Sequence, residues 1–129
     1  GEAYAARYGI RAPHTLLNVF PLSMAPPAPM RRRGEGLKAY WFSQTIGLDR
    51  GLQAFIEAMA RTREPVTLDI RGSNRWGHGD TLLALARSLG IGERVRLLPV
   101  APPREMARLA AACDVGLSLE TEISENLSL

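Results

Sequence analysis

The stretch LKAYWFSQTIGLDRGLQAFIEAMART, residues 37–62, decides the fold of this chain. It opens with an apolar and aromatic run, Leu37 to Phe42, which is typical of a buried strand. A polar segment with two glycines follows, and the remainder predicts an amphipathic helix because apolar residues recur at the spacings i, i+3, i+4 and i+7. The apolar positions of this helix are Leu52, Phe55, Ile56 and Met59.

The segment between this strand and this helix, Ser43 to Gly51, is a candidate anion-binding loop. Free backbone N–H groups and the positive end of the helix dipole meet at the start of a helix, and both favour a negatively charged ligand. Arg50 adds a cation at the same turn. We therefore expect an anionic group to bind at this loop.

Three more short runs predict further strands: Val66 to Arg71, Val95 to Leu98 and Val115 to Leu119. Strands that alternate with amphipathic helices, each carrying a single apolar stripe, predict an α/β fold. This fold is a Rossmann-like parallel sheet with helices on both faces. With the usual strand order 3-2-1-4, the order reverses between the first and fourth strands, and ligands bind at that switch point. The site is therefore expected where residues 43–51 face the segment after Leu119.

The segments between these strands give further expectations. Asp80 is the expected N-cap of the second helix, and Pro103 suits the first turn of the third, on which Cys113 should be a small buried apolar residue. His78 and His14 have no partner at a useful spacing, so both are expected in loops rather than as catalytic bases. The alternation of apolar and polar residues in the second strand predicts that one of its faces is less covered.

The composition favours a globular domain. Of the 129 residues, 46% are hydrophobic and 22% charged, which excludes a disordered or fibrous protein. The net charge of +3 suits an anionic ligand and does not require nucleic acid. A single cysteine excludes an internal disulfide and a cysteine-based zinc site. Without a long apolar run or a signal-peptide layout, the protein is expected to be cytoplasmic, and its preference for arginine over lysine is typical of a GC-rich bacterial genome.

Two standard phosphate-binding motifs are absent from the sequence. The loop SQTIGLDRG lacks the G-x-G-x-x-G pattern, and no G-K-[ST] occurs. A typical dinucleotide enzyme or NTPase is therefore disfavoured. An NADP-binding protein stays open as an alternative, because Arg71 ends the second strand, where a partner of the 2′-phosphate would lie.

Several motifs in order resemble the C-terminal, donor-binding domain of GT-B glycosyltransferases, closest to family 4 (glycosyltransferase group 1). They are an aromatic strand, a glycine loop with Arg50-Gly51-Leu52, the strand LDIRG, the run L-x-x-L-A-x-x-L-G-I-x-x-R-V-R-L-L and the run M-x-x-L-x-x-x-C-D-V-G-L. The segment YGIRAPHTLLNVFP is similar to the end of the N-terminal domain. The resemblance implies three parts: residues 1–21 end the acceptor domain, 22–35 form a Pro- and Arg-rich linker, and 36–129 form an incomplete nucleotide-sugar-binding domain.

The resemblance implies a retaining, metal-independent transfer of a sugar from a UDP- or GDP-sugar to an acceptor that the sequence does not name. In the family, the glycine loop and its basic residue hold the donor diphosphate, and the segment after the third strand borders the nucleobase. The binding residues implied here are Ser43, Gln44, Gly47, Arg50, Gly51, Gly72, Leu98, Pro99 and Val100.

The chain departs from the family at its acidic E-x7-E element, which is not completed within the sequence. Glu120, Glu122 and Glu125 are candidates for its first carboxylate, with Glu120 and Arg50 as the implied catalytic residues; solvated surface acids are the alternative. A binding or scaffold module without catalysis therefore stays open. Because only one wall of the cleft is present, residues 1–129 alone are expected to show no sugar transfer.

Arg31–Arg33 are predicted to be dispensable for nucleotide binding, because they lie in the proline-rich linker and act only through long-range, salt-screened attraction. Their alternative role is contact with an anionic membrane surface or nucleic acid. Replacing all three by alanine should leave UDP and GDP affinity unchanged at physiological salt, as measured by calorimetry. A clear loss of affinity would place these arginines in the binding site.

Overall fold

The computed structural model describes residues 2–14, 19–26 and 36–119. The apolar run TLLNVF, residues 15–20, predicts a further short strand, most of which lies outside these ranges. Arg31–Arg33, Glu120, Glu122 and Glu125 also lie outside them. The predicted linker at residues 22–35 is only partly described, so the domain boundary stays a prediction. Near the N-terminus, the segment EAYAARY predicts a helix closed by Gly9; it is present as α1, Glu2–Tyr8, and Gly9 follows it with a positive φ of 62°.

Four parallel strands form one sheet in the order β3-β2-β1-β4. This order confirms the predicted fold class and places the reversal between β1 and β4. Ladder bonds from Asp114 and Leu117 to β1 hold the last strand in the sheet. The strands are β1 Leu37–Thr45, β2 Val66–Ser73, β3 Val95–Leu98 and β4 Val115–Gly116.

The helices cover both faces of the sheet. The crossovers from β1 through β2 to β3 run in one direction, so their right-handed connections put α2 and α3 on one face. The return from β3 to β4 puts α4 on the other. A 3-10 turn that begins at Pro103 leads directly into α4, as the position of this proline predicted. The helices are α2 Leu52–Arg61, α3 His78–Ser88 and α4 Met106–Ala110, with further 3-10 turns at Leu22–Met24 and Gly92–Arg94.

The hydrophobic core lies between the sheet and the α2–α3 layer. The predicted stripe of α2 is confirmed, because Leu52, Ile56 and Met59 are buried and Phe55 packs against them. Side chains of β1 alternate between the faces, so Trp41 enters this core while Tyr40 lies on the α4 face.

The prediction of a less covered face on β2 is wrong. Asp69 and Arg71 are only 3% and 9% exposed. Asp69 is bonded from both neighbouring strands, since Arg96 of β3 donates to it at 2.7 Å and the Lys38 ammonium of β1 lies at 3.2 Å. Sequence alternation identifies polar positions but not the cross-strand partners that allow their burial.

Two predictions about the start of α3 are also wrong. His78 is the first helical residue rather than a loop residue, and Gly77 precedes it with a left-handed φ of 71°. Asp80 lies within the first turn and accepts a hydrogen bond from the Asn74 amide at 2.9 Å. The side-chain oxygen of Asn74, Oδ1, instead accepts a hydrogen bond from the Gly79 backbone N–H at 2.7 Å. The side chain of Asn74, four residues before the helix, thus caps the start of α3, the role that the sequence pattern assigned to Asp80.

The other boundaries differ at the carboxyl edge of the sheet. β1 continues to Thr45 instead of ending near Phe42, and β4 ends at Gly116. α4 ends at Ala110, so Cys113 follows the helix and is half-buried rather than lying on it. Beyond β4, the Leu117 N–H still donates to the Tyr40 carbonyl of β1 at 2.9 Å, and Leu119 lies against Gly51 before α2.

Replacing Ile56 by alanine should lower the free energy of unfolding by about 2–5 kcal/mol, because its fully buried side chain leaves a cavity under the sheet. Replacement of the adjacent exposed Glu57 by alanine is the matched control and should change stability little. Urea denaturation of both variants measures the difference. Equal stability of the two would contradict this assignment of the core.

Candidate functional site

A cavity of about 550 Å³ opens at the carboxyl ends of β1 and β2. Ser43 and Gln44 line it from β1, Gly72 from β2, and Val100 from the segment after β3. The fold thus brings four of the sequence-predicted binding residues to one cavity.

Part of the cavity wall is apolar and was not predicted. Phe42, at the predicted end of β1, is 39% exposed, and its ring lies 6.4 Å from the ring of Phe20, centroid to centroid. Val19 and Met106 also line the cavity. The only sequence signal for this wall was the aromatic run of β1, which was assigned entirely to the core.

Gly72 lets β2 approach β1 closely. A Cβ at this position would lie 2.9 Å from the Ser43 carbonyl oxygen and 3.1 Å from Ile46 Cγ1. The Ile46 N–H donates to the Ser73 carbonyl at 3.0 Å and holds the two chain segments together. Gly72 is therefore required for the shape of this edge.

The loop before α2 forms a second group of predicted residues. Gly51 has a φ of 72°, and a Cβ on it would overlap the Leu119 carbonyl, so the loop lies against Leu119. The segment after Leu119, which the loop was predicted to face, lies outside the described residues. The Arg50 side chain is 36% exposed, and its Nε lies 3.7 Å from Asp49 Oδ1. Gly47, Arg50 and Gly51 are not among the described residues that line the cavity.

The segment after β3 is tied to the sheet by a side chain. Leu98 is half-buried, whereas Pro99 and Val100 are exposed. The Pro99 carbonyl accepts a hydrogen bond from Arg71 Nη1. This contact fixes the backbone beside Val100, the member of the segment that lines the cavity.

Arg71 joins the cavity to a buried tyrosine. Its Nε donates to the Tyr40 hydroxyl at 2.9 Å, and that hydroxyl lies 3.8 Å from Met106 Sδ on α4. Burial raises the pKa of Tyr40, and the hydrogen bond from Arg71 opposes this shift. Tyr40 is therefore a neutral hydroxyl near pH 7 that orients the guanidinium.

The remaining reactive side chains have structural roles or stand apart. His78 Nδ1 lies 3.2 Å from the Ile46 carbonyl, which connects the start of α3 to the loop after β1. Burial raises the pKa of the Cys113 thiol, while the charge of Lys38 lowers it. His14 is exposed. Among the described residues, no group of three or more His, Cys, Asp or Glu side chains is placed to hold a metal ion.

No family model and no curated protein matches this sequence. Among solved structures, sucrose-phosphate synthase from Thermosynechococcus elongatus superimposes with a TM-score of 0.64 at 18% sequence identity. The match covers 91% of this chain and 32% of that one. The likeness is one of fold, a parallel Rossmann-like α/β sheet of the GT-B-like type. This chain spans about a third of the length of that synthase. Among the described residues, no helix is long and apolar enough to cross a membrane.

Replacing Gly51 by alanine should destabilise this GT-B-like fold more than the same change at Gly90. Both glycines have a positive φ, of 72° and 74°, so each alanine costs about 1–2 kcal/mol of backbone strain. Only Gly51 also has Leu119 in the way, whereas a Cβ on Gly90 meets nothing within 4 Å, so an extra ~1–3 kcal/mol is expected. Chemical denaturation of both variants gives the difference. Equal destabilisation would show that Leu119 does not pack against this loop in solution.

Proposed function

We propose that this chain is the donor-binding part of a glycosyltransferase and holds a nucleoside diphosphate sugar at the carboxyl edge of its sheet. The observation that carries the proposal is the cavity between Ser43, Gln44, Gly72 and Val100, at the edge where α/β sheets bind ligands. The likeness of the fold to a glycosyltransferase supports it.

In this proposal, the diphosphate binds at the loop before α2. Gly51 caps this helix without a side-chain hydrogen bond, so the first N–H groups of the helix remain available to an anion. Arg50 is partly exposed, and its approach to Asp49 is the kind of surface ion pair that contributes little. A diphosphate, with more than one charge, would compete with Asp49 for Arg50.

The nucleobase lies along the segment Leu98, Pro99 and Val100. The exposed Val100 side chain offers an apolar surface to a flat ring, and the bond from Arg71 to the Pro99 carbonyl keeps the segment in place. UDP and GDP are the donor nucleotides that the family resemblance implies.

The reaction proposed for the full protein is a retaining transfer without a metal ion. As the bond to the sugar breaks, negative charge accumulates on the departing diphosphate, and Arg50 together with the N–H groups of α2 stabilises it. Glu120 is proposed as the carboxylate on the sugar side. The acceptor is a sugar, a lipid or another small molecule, and no nucleic acid is involved; a peripheral membrane contact through Arg31–Arg33 and a cytoplasmic location stay predictions.

One observation weighs against the NADP alternative. The loop before α2, SQTIGLDRG, lacks the G-x-G-x-x-G pattern with which such a sheet holds the pyrophosphate of a dinucleotide. A non-catalytic binding module differs from the proposal in having no specific affinity for nucleotides, which the next experiment measures.

Replacing Arg50 by alanine should weaken UDP or GDP binding by roughly 10- to 150-fold, since one charge-assisted hydrogen bond is worth ~1.5–3 kcal/mol. The melting temperature should change little because the side chain is partly exposed. The matched control is Arg63→Ala, an exposed arginine beyond the other end of α2, which should leave affinity unchanged. Calorimetric titration and thermal melting of the three proteins give both quantities.

Unchanged nucleotide affinity in Arg50→Ala would remove this residue from the site. A large drop in its melting temperature would assign it a structural role. Failure of the parent chain to bind either nucleotide would favour the binding-module alternative.

A further inference from the structure

Arg71 has a charge that the described chain does not pair. Only 9% of the residue is exposed, and its two hydrogen-bond acceptors, the Tyr40 hydroxyl and the Pro99 carbonyl, are both neutral. No carboxylate in the described part of the chain makes an ion pair with it. A buried charge without a counter-ion is costly, so it points to an anion that the protein binds.

Arg71 has N–H donors beyond those used by its two contacts. A guanidinium has five N–H donors, and the two contacts use only Nε and Nη1. Every buried side-chain nitrogen or oxygen atom among the described residues has a hydrogen-bond partner. Arg71 Nη2 has no partner among the described residues, so this atom is not buried and is open to a ligand. Arg71 also lines the 550 Å³ cavity, which gives an anion in the cavity a route to this guanidinium.

The surrounding charges also favour an anion. On the same face of the sheet, the single carboxylate of Asp69 is shared by Lys38 and Arg96, at 3.2 and 2.7 Å. Asp114 accepts a hydrogen bond from the Lys38 backbone N–H at 2.8 Å. These four residues together with Arg71 carry three positive charges and two negative ones, so this face of the sheet keeps a net positive charge, and Arg71 is its member that lines the cavity.

We propose that Arg71 is an oxyanion-binding residue, which takes a phosphate or carboxylate group of whatever ligand occupies the cavity. Tyr40 and the Pro99 carbonyl hold its guanidinium plane from one side, and the remaining N–H groups present a fork to the oxyanion. Ser43 and Gln44 line the same cavity and offer further polar contacts. The proposal does not depend on the ligand being a nucleotide sugar.

The test follows the Nε–H signal of Arg71 by NMR in the full chain, assigned by its loss in Arg71→Lys. One arm adds inorganic phosphate and the other adds glucuronate, each against sodium chloride at the same ionic strength. We expect a saturable shift of the signal in at least one arm and none with chloride. Saturation by phosphate identifies a phosphate-bearing ligand, and saturation by glucuronate a carboxylate-bearing one.

Variants decide whether the shift reports direct contact. Arg71→Met should weaken binding of the active anion at least about tenfold, as measured from the amide shifts of Gly72 and Val100, while Arg63→Met should not. Arg71→Lys keeps the charge but not the two fixed contacts and should give an intermediate loss. No saturable shift in either arm, or equal binding by Arg71→Met, would overturn the proposal. If Arg71→Met does not fold, the parent titration and Arg71→Lys decide it.

This outcome is separate from that of the proposed function. A phosphate or glucuronate shift at Arg71 without any UDP or GDP binding would support the oxyanion site and refute donor binding. Nucleotide binding that is lost in Arg50→Ala, with no anion response at Arg71, would support donor binding and refute the oxyanion site.

Discussion

The central position of β1 is the constraint on which the rest of the structure depends. This strand pairs in parallel with β2 on one side and with β4 on the other, so both of its faces and both of its edges are covered. Right-handed connections lead away from it in one direction and return to it from the other. The helices therefore cover both faces, and the two connections diverge at the carboxyl end of β1, where the cavity opens.

The two faces of the sheet are stabilised by different interactions. On the α2–α3 side, Trp41, Ile56 and Leu82 form a continuous apolar core. On the α4 side, cross-strand ion pairs at Asp69 and the hydrogen bond from Arg71 to Tyr40 allow charged groups to be buried. Burial of charges contributes less to stability than apolar packing of the same size, but it fixes side-chain orientation. Arg71, the residue proposed to bind an oxyanion, lies on this polar face.

The sequence predicted the parts of the fold that depend on periodicity. The stripe of α2, the parallel sheet and its strand order all follow from apolar spacing and from the handedness of crossovers. It did not predict features that depend on partners distant in the chain. The burial of Asp69 needs Lys38 and Arg96, and the capping by Asn74 replaces that expected of Asp80. In the candidate site, the sequence suggested loop and strand-end positions, which stay predictions as binding residues, whereas the placement of Phe20 and Arg71 at the cavity required the packed structure.

In the proposed function, the cavity and the loop before α2 are two parts of one donor site. Amide chemical-shift mapping of residues 1–129 with UDP and with GDP tests this most directly. We expect saturable amide shifts with at least one nucleotide in both regions. These are the loop residues Gly47, Arg50 and Gly51 and the cavity residues Ser43, Gly72 and Val100. Absence of shifts with both nucleotides, or shifts confined to residues outside these two groups, would contradict it.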